Sequence, residues 1–167
     1  MRIFTLFLFS CLIFSDLDAQ TFTAGGGNIP DDGTLITYDL SVSGLPQSAM
    51  DTVNFGLESV CINIFHTWNS DLSISLKAPD GTVISLFSGV GGDLDGFQNT
   101  CLSSNADASI FQAPYPFTGI FKPFGDMGVL NNGQSPNGVW QLLILDTYAF
   151  ADAGELFNWS LTFGDQP

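Results

Sequence analysis

Basic side chains are scarce in this sequence: its 167 residues include three Lys and Arg against 17 Asp and Glu, a formal net charge of −14. Nucleic acids and anionic lipid surfaces are bound through Lys and Arg, so this balance excludes both as expected partners. Histidine is scarcer still, and His66 is the one example. Since a serine protease triad normally uses His as its general base, any catalytic interpretation depends on that residue.

The sequence also lacks the features of helices. Glutamate occurs only at Glu58 and Glu155, and no window of ten residues combines helical periodicity with caps. Apolar and polar residues instead alternate in short runs, and pairs such as Gly91-Gly92 between the runs are typical of turns. The alternating runs are 36–42, 60–64, 72–77, 140–144 and 157–163. This spacing predicts an all-β fold, a jelly-roll-like antiparallel β-sandwich.

No apolar run is long enough to span a membrane. The longest, residues 3–14, follows Met1-Arg2 and is shorter than the ~20 residues that a span requires. With Ala19 as the small residue at the cut, residues 1–19 are predicted to be a signal peptide. The mature protein is then expected to be soluble, without a membrane span, and secreted into the extracellular space or the periplasm. We expect a flexible lead-in over 20–27, one domain over 28–164 and a short tail over 165–167.

Cysteine is limited to three residues, and Cys11 lies in the predicted signal peptide. Cys61 and Cys101 are left as an even pair in an oxidising compartment, which favours a disulfide. Closing a loop of this length is worth ~4 kcal/mol in the chain-entropy account. The alternative is two separately buried thiols, since Cys61 lies in an apolar run.

The most particular stretch runs from His66 to Phe87. Leu72, Ile74 and Leu76 alternate with polar residues, the pattern of a half-buried strand. The turn residues Pro79-Asp80-Gly81 follow, and a second apolar run then leads back. This stretch predicts a β-hairpin that starts from an aspartate corner at Asp71.

The same stretch, with the letters HTWNSDLSISLKAPDGTVISL, resembles the core of the P domain (P/Homo B domain). P domains are β-sandwich modules that follow the catalytic domain in proprotein convertases and in many bacterial subtilisin-like proteases. Further matching segments occur in the same order in both directions, so that the resemblance covers residues 28–164. These segments are Asn28–Asp32, Val42–Pro46, Asp95–Phe97, Pro116–Gly119, Pro136–Trp140, Asp146-Thr147 and Gly154–Leu161.

The resemblance implies an association with serine-type endopeptidases and proteolysis, but not catalysis by this chain. Nothing in the sequence resembles the subtilisin motifs around the catalytic Asp, His and Ser, and there is no G-x-S-x-G elbow. His66 lies in the HTW corner of the motif, where a structural role is expected. The residues assigned to the structural motif are His66, Trp68, Gly138, Trp140, Asp146, Gly154 and Trp159.

A calcium site is a further expectation, because some bacterial P domains bind Ca²⁺. Asp93 and Asp95 lie two residues apart ahead of Gly96, and oxygen ligands from Asp71 and the following loop would complete a shell of 6 to 8 oxygens. The spacing does not fit an EF-hand. The alternative is that these aspartates are solvated turn residues. The candidate ligands are Asp71, Asp93, Asp95, Asn99 and Asp107, with Asn105 as another amide in the same loop.

Two functions are compatible with the sequence. The first is a non-catalytic accessory P domain that stabilises a subtilisin-like protease, here met in trans. The alternative is a stand-alone extracellular adhesion or carbohydrate-binding module, with a surface glycan as its partner and aromatic rings as contacts. In either case we expect a monomer. The aromatic candidates in or beside turns are Phe111, Tyr115, Phe117, Phe121, Phe124, Tyr148 and Phe150.

Overall fold

The computed structural model describes residues 19–167. The predicted signal peptide therefore lies, except for Ala19, outside the described residues. Nine strands account for nearly all regular structure, together with short 3-10 helices at Asn69–Asp71, Ile110–Gln112 and Met127–Leu130. The strands are β1 (Gln20–Ile29), β2 (Ile36–Val42), β3 (Gly56–His66), β4 (Leu72–Lys77), β5 (Val83–Ser88), β6 (Phe97–Leu102), β7 (Gly119–Phe121), β8 (Gly138–Asp146) and β9 (Gly154–Gly164).

The strands form two sheets that pack face to face. One sheet has five strands in the order β1-β9-β3-β6-β7, and the other has four in the order β2-β8-β4-β5. Every neighbouring pair is antiparallel except β6 with β7. The predicted all-β, jelly-roll-like sandwich is confirmed. Among the described residues, no helix is long and apolar enough to cross a membrane.

The predicted hairpin is the β4–β5 pair. Leu72, Ile74 and Leu76 of β4 are buried between the sheets, while the polar residues between them are half-exposed. The turn is closed by backbone hydrogen bonds from the Ala78 N–H to the Thr82 carbonyl and from the Gly81 N–H to the Ala78 carbonyl. The Asp80 carboxylate accepts a hydrogen bond from the Thr82 N–H. The alternation of side chains therefore sets which face of the strand enters the core.

The expected flexible lead-in at 20–27 is wrong, because these residues belong to β1. They pair with residues 156–163 of β9, and Phe22 packs edge-on against Phe163. Runs of glycine are commonly linkers, but here Gly26 allows close approach: a Cβ on it would overlap Leu156. The edge of β9 gains its hydrogen-bond partners from this segment.

Candidate functional site

Four strand ends meet at one end of the sandwich. His66 ends β3 opposite Gly154 at the start of β9, and Asp146 ends β8 opposite Leu72 at the start of β4. The loop 147–153, which connects β8 to β9, passes over this end. We call this region the His66 corner, defined by His66, Trp68, Asp71, Asp146 and Asp152.

His66 is fully buried and both of its ring nitrogens have partners. Nε2 lies 3.1 Å from Asp146 Oδ2, and the Trp68 N–H approaches Nδ1 at 3.2 Å. The Trp68 carbonyl oxygen is also 2.9 Å from Nδ1. Neither nitrogen is free to take a proton from an attacking group, and no Ser, Thr or Cys side chain of residues 19–167 hydrogen-bonds to the ring.

Close packing at the corner requires small and polar residues at fixed points. A Cβ on Gly154 would overlap the His66 ring, so glycine is needed where β9 begins. The buried Asn69 side chain makes two bonds to the Gly96 backbone, to its carbonyl at 2.8 Å and from its N–H at 2.7 Å. Asn69 thereby fixes the loop 89–96 against the corner.

The other predicted motif residues occupy structural positions. Trp140 and Trp159 lie in the core with 0% and 1% of their surface exposed, and Gly138 opens β8 against Pro79. The Trp140 indole N–H donates to the Pro136 carbonyl at 2.9 Å. Trp68, by contrast, is 46% exposed and lies at the surface of the corner.

Two carboxyl groups face one another at the surface of the corner. The Asp71 carboxyl lies close to that of Asp152. Burial raises the pKa of the Asp71 carboxyl, and the nearby negative charges of Asp152 and Asp146 act in the same direction, opposed by His66. Asp71 and Asp152 are both half-buried. This pair therefore concentrates negative charge where solvent screening is reduced.

The carboxyl groups of Asp71 and Asp152 border a cavity of about 500 Å³. Trp68, Asp71, Tyr148, Ala151 and Asp152 line it. Two of these side chains are exposed aromatic rings and two are acids, so the lining combines π faces with negative charge. A cavity of this size can hold a side chain or a small ligand.

The loop 147–153 is held in place by several hydrogen bonds. The Thr147 N–H and hydroxyl both donate to the Asp71 carbonyl at 2.8 Å. The Thr67 hydroxyl donates to Asp152 Oδ1 at 2.8 Å, and the Asp152 N–H donates to Asp31 Oδ2 at 3.1 Å. The backbone of this loop and the Asp152 side chain are thus positioned before any ligand arrives.

The predicted calcium ligands do not gather at one point. Among residues 19–167 there is no group of three or more His, Cys, Asp or Glu arranged to hold a metal ion. Asp71 faces Asp152, whereas Asp93, Asp95, Asn99 and Asp107 are exposed on other segments. Since Ca²⁺ also takes amide and backbone oxygens, calcium binding stays a prediction.

The predicted disulfide is confirmed. Cys61 of β3 lies directly opposite Cys101 of β6, and the two sulfur atoms are bonded. The bond joins neighbouring strands of the five-stranded sheet. Both residues are half-buried and point away from the interior.

The aromatic candidates divide into two groups. Phe117 and Phe121 are buried and belong to the core. The others are substantially exposed, from 53% for Phe111 and Tyr115 to 85% for Phe150. Those that remain at the surface are Phe111, Tyr115, Phe124, Tyr148 and Phe150.

Sequence reasoning missed Asp152 of the corner and Asn69, which holds the neighbouring loop against it. Asn69 was in the motif but had no assigned role, and Asp152 had no role at all. Asp152 lies 81 positions from its partner Asp71, and no local pattern connects them. The position of Asn69 inside the HTW-containing stretch could have indicated a structural role for it. Only the fold could have identified Asp152.

Comparisons with known proteins support a relation to protease-related bacterial proteins. The chain is 31% identical over 137 residues to leupeptin-inactivating enzyme 1 of Streptomyces exfoliatus, which covers 81% of this chain and 24% of that protein. It is also 31% identical over 152 residues to the transglutaminase-activating metalloprotease of Streptomyces mobaraensis, with coverage of 84% and 16%. The chain thus spans about a quarter or less of the length of these relatives. No protein-family model matches it.

A solved structure shares the fold. A chain in the crystal structure of the complex between Aeromonas sobria serine protease and its chaperone aligns with a TM-score of 0.51 at 17% identity. The alignment covers 92% of this chain and 28% of that one. At this identity the likeness establishes the sandwich architecture alone.

Proposed function

We propose that this protein is a secreted, non-catalytic P domain that packs against a subtilisin-like serine protease and stabilises it. The observation that carries the proposal is that His66 is buried and that both of its ring nitrogens have partners. A catalytic base must present a free nitrogen to its substrate or nucleophile, but both His66 nitrogens are occupied inside the core. The motif that suggests a protease module thus serves structure on this chain.

The relatives support the accessory role. Their matched segments make up about a quarter or less of longer proteins, and their names concern proteolysis or an inhibitor of it. A module of this kind, without catalytic groups of its own, must act through a partner that contains them. Export of the chain would place it in the same compartment as secreted proteases, in line with the disulfide.

The test is capture followed by a stability measurement. The folded, oxidised protein is immobilised and exposed to the secretome of its source, and bound proteins are identified by mass spectrometry. We expect a subtilisin-like serine protease to be retained by the folded bait and not by a bait that has been reduced, alkylated and unfolded. Adding the free domain to that purified protease should raise its unfolding midpoint.

Two results would overturn the proposal. One is retention on surface polysaccharide with no protease recovered, which would favour the adhesion alternative. The other is peptide cleavage by the purified protein that disappears in H66A.

The same purified protein tests calcium binding. The absence of heat on Ca²⁺ titration, together with an unfolding midpoint that chelator leaves unchanged, would remove that prediction.

A further inference from the structure

The cavity at the His66 corner contains negative charge without a matching cation. Asp71 and Asp152 are half-buried beside each other. Within residues 19–167 the one salt bridge joins His66 and Asp146, so neither Asp71 nor Asp152 is paired with a cation. Lys77 and Lys122, the basic residues in this part of the chain, do not contact either carboxylate. Two adjacent acids without a cation are unfavourable, and a ligand with positive charge would relieve that cost.

The rim of the cavity is aromatic to an unusual degree. Trp68 and Tyr148 line it with 46% and 64% of their surface exposed. Phe150 lies in the same loop, outside the lining residues, and is 85% exposed. Phe150 also has φ +66°, in the left-handed region that disfavours residues with a large side chain. Holding an exposed Phe in that conformation costs stability in the free protein, a pattern found at binding sites.

The cavity is also preorganised. The Phe150 N–H donates to the Asp31 carbonyl at 3.0 Å, and Asp31 also accepts from the Asp152 N–H. With the Thr147 and Thr67 bonds described above, these contacts fix both halves of the loop 147–153. A ligand would meet the loop backbone and the Asp152 carboxylate already in place, which lowers the ordering cost of binding.

From these features we infer that the cavity binds an arginine side chain of a partner protein. A guanidinium group is planar, so it can stack on Trp68 or Tyr148 while its N–H groups donate to Asp71 and Asp152. Lysine supplies a point charge but no flat face. A metal ion fits less well, because no group of three acidic, His or Cys ligands is present in residues 19–167.

The identity of the partner rests on the proposed function, since a protease that docks here would supply the arginine. The binding chemistry itself does not depend on it. The charge of the chain, −14, also favours a basic surface on whatever protein docks at this corner.

The experiment uses small probes and the isotope-labelled folded protein. Nα-acetyl-arginine amide is titrated while amide and indole signals are followed by NMR, with Nα-acetyl-citrulline amide as an uncharged probe of almost the same shape. We expect shifts at the Trp68 indole and in the loop 147–153, and an affinity for the arginine probe at least about fivefold higher than for the citrulline probe. The lysine analogue should bind more weakly than the arginine probe.

Variants locate the site. D152N keeps a carbonyl oxygen that can accept from Thr67, but it removes the charge, and we expect it to weaken arginine binding about fivefold or more. Asp107 is exposed and forms no side-chain hydrogen bond in the described structure, so D107N removes an equal charge outside the cavity and should bind as the parent does. Y148A should weaken binding through the rim while the fold is retained, because the Tyr148 side chain is 64% exposed and forms no hydrogen bond in the described structure.

The inference is overturned by equal binding of the arginine and citrulline probes, by equal binding of the lysine analogue, or by shifts that map away from Trp68. It also fails if D152N and D107N bind alike, or if no shifts appear at any soluble probe concentration. These assays contain no protease, so their failure leaves the capture experiment to decide the accessory role. Conversely, if the capture experiment recovers no protease, binding of the arginine probe in the cavity would still support this inference.

Discussion

His66 Nε2 and Asp146 Oδ2 lie 3.1 Å apart and connect the two sheets, since His66 ends β3 and Asp146 ends β8. Their side chains are 0% and 1% exposed. The second oxygen, Asp146 Oδ1, accepts from the Tyr148 N–H at 3.0 Å, which starts the loop 147–153 on its course. One buried carboxylate therefore joins the sheets and positions the cavity loop.

We expect D146A to lower the free energy of unfolding by ~3–5 kcal/mol, because it leaves the His66 ring and the Tyr148 N–H without their acceptor in the interior. D146N retains one acceptor oxygen and should cost less, ~1–3 kcal/mol. Chemical denaturation measures both changes. D107N, an exposed aspartate, is the control and should change stability by less than about 0.5 kcal/mol. A D146A protein as stable as the parent would show that the pair does not hold the corner.

The Cys61–Cys101 bond predicts a second stability change. The cross-link restricts the unfolded chain over a sequence separation of 40, which corresponds to ~4 kcal/mol in the chain-entropy account. The C61S/C101S variant should lose most of this amount in denaturant unfolding, and reductant should lower the midpoint of the parent similarly. Reductant should have no effect on the double variant. An unchanged midpoint in the variant would mean that the bond contributes no net stability.

The parts of the fold that could be predicted from sequence were those set by local pattern. The alternation in 72–77 and the turn at Pro79-Asp80-Gly81 identified the β4–β5 hairpin, because side-chain period and turn chemistry act over a few residues. The disulfide followed from cysteine number and compartment. The strand at 20–29 was missed because its formation depends on β9, more than 120 positions away.

The site was harder to predict than the fold. His66, Trp68 and Asp71 were identified in one motif, but the cavity also needs Tyr148 and Asp152 from a distant loop. The structure also places Asp71 beside Asp152, a neighbour that no local pattern indicates. Sequence spacing shows which acids are near in the chain, whereas their neighbours in space are determined by which strand ends meet.

Asp71 should affect stability in a pH-dependent way. Burial raises the pKa of its carboxyl, helped by Asp152 and Asp146 and opposed by His66, so ionised Asp71 destabilises the folded state at neutral pH. This cost decreases as pH falls through the raised folded-state pKa and vanishes below the unfolded value of about 3.9. D71N should therefore have a higher unfolding midpoint than the parent at pH 7, and the difference should disappear in acid. Thermal melts between pH 3 and 8 measure it.

Asp51 provides a control of opposite sign. Hydrogen bonds from the Asn54 side chain and from the Asn54 and Val53 N–H groups lower the pKa of the Asp51 carboxyl to about 2. The stability that ionised Asp51 contributes is fully present above the unfolded-state pKa and is lost as pH falls through the folded-state pKa. D51N should therefore lower the midpoint at pH 7, with the loss diminishing toward low pH. If D71N and D51N shift the midpoint in the same direction at pH 7, the assignment for Asp71 is wrong.

Two core tryptophans should respond differently to the same substitution. Trp140 and Trp159 are both buried, but the Trp140 N–H donates to the Pro136 carbonyl, whereas the Trp159 Nε1 has no hydrogen-bond partner in the described structure. Replacement by Phe removes similar ring volume from each site, so the cavity cost is comparable. W140F also leaves the Pro136 carbonyl unpaired, and we expect it to be less stable than W159F by ~1–2 kcal/mol in denaturant unfolding. Equal losses, or a larger loss in W159F, would show that packing outweighs this hydrogen bond.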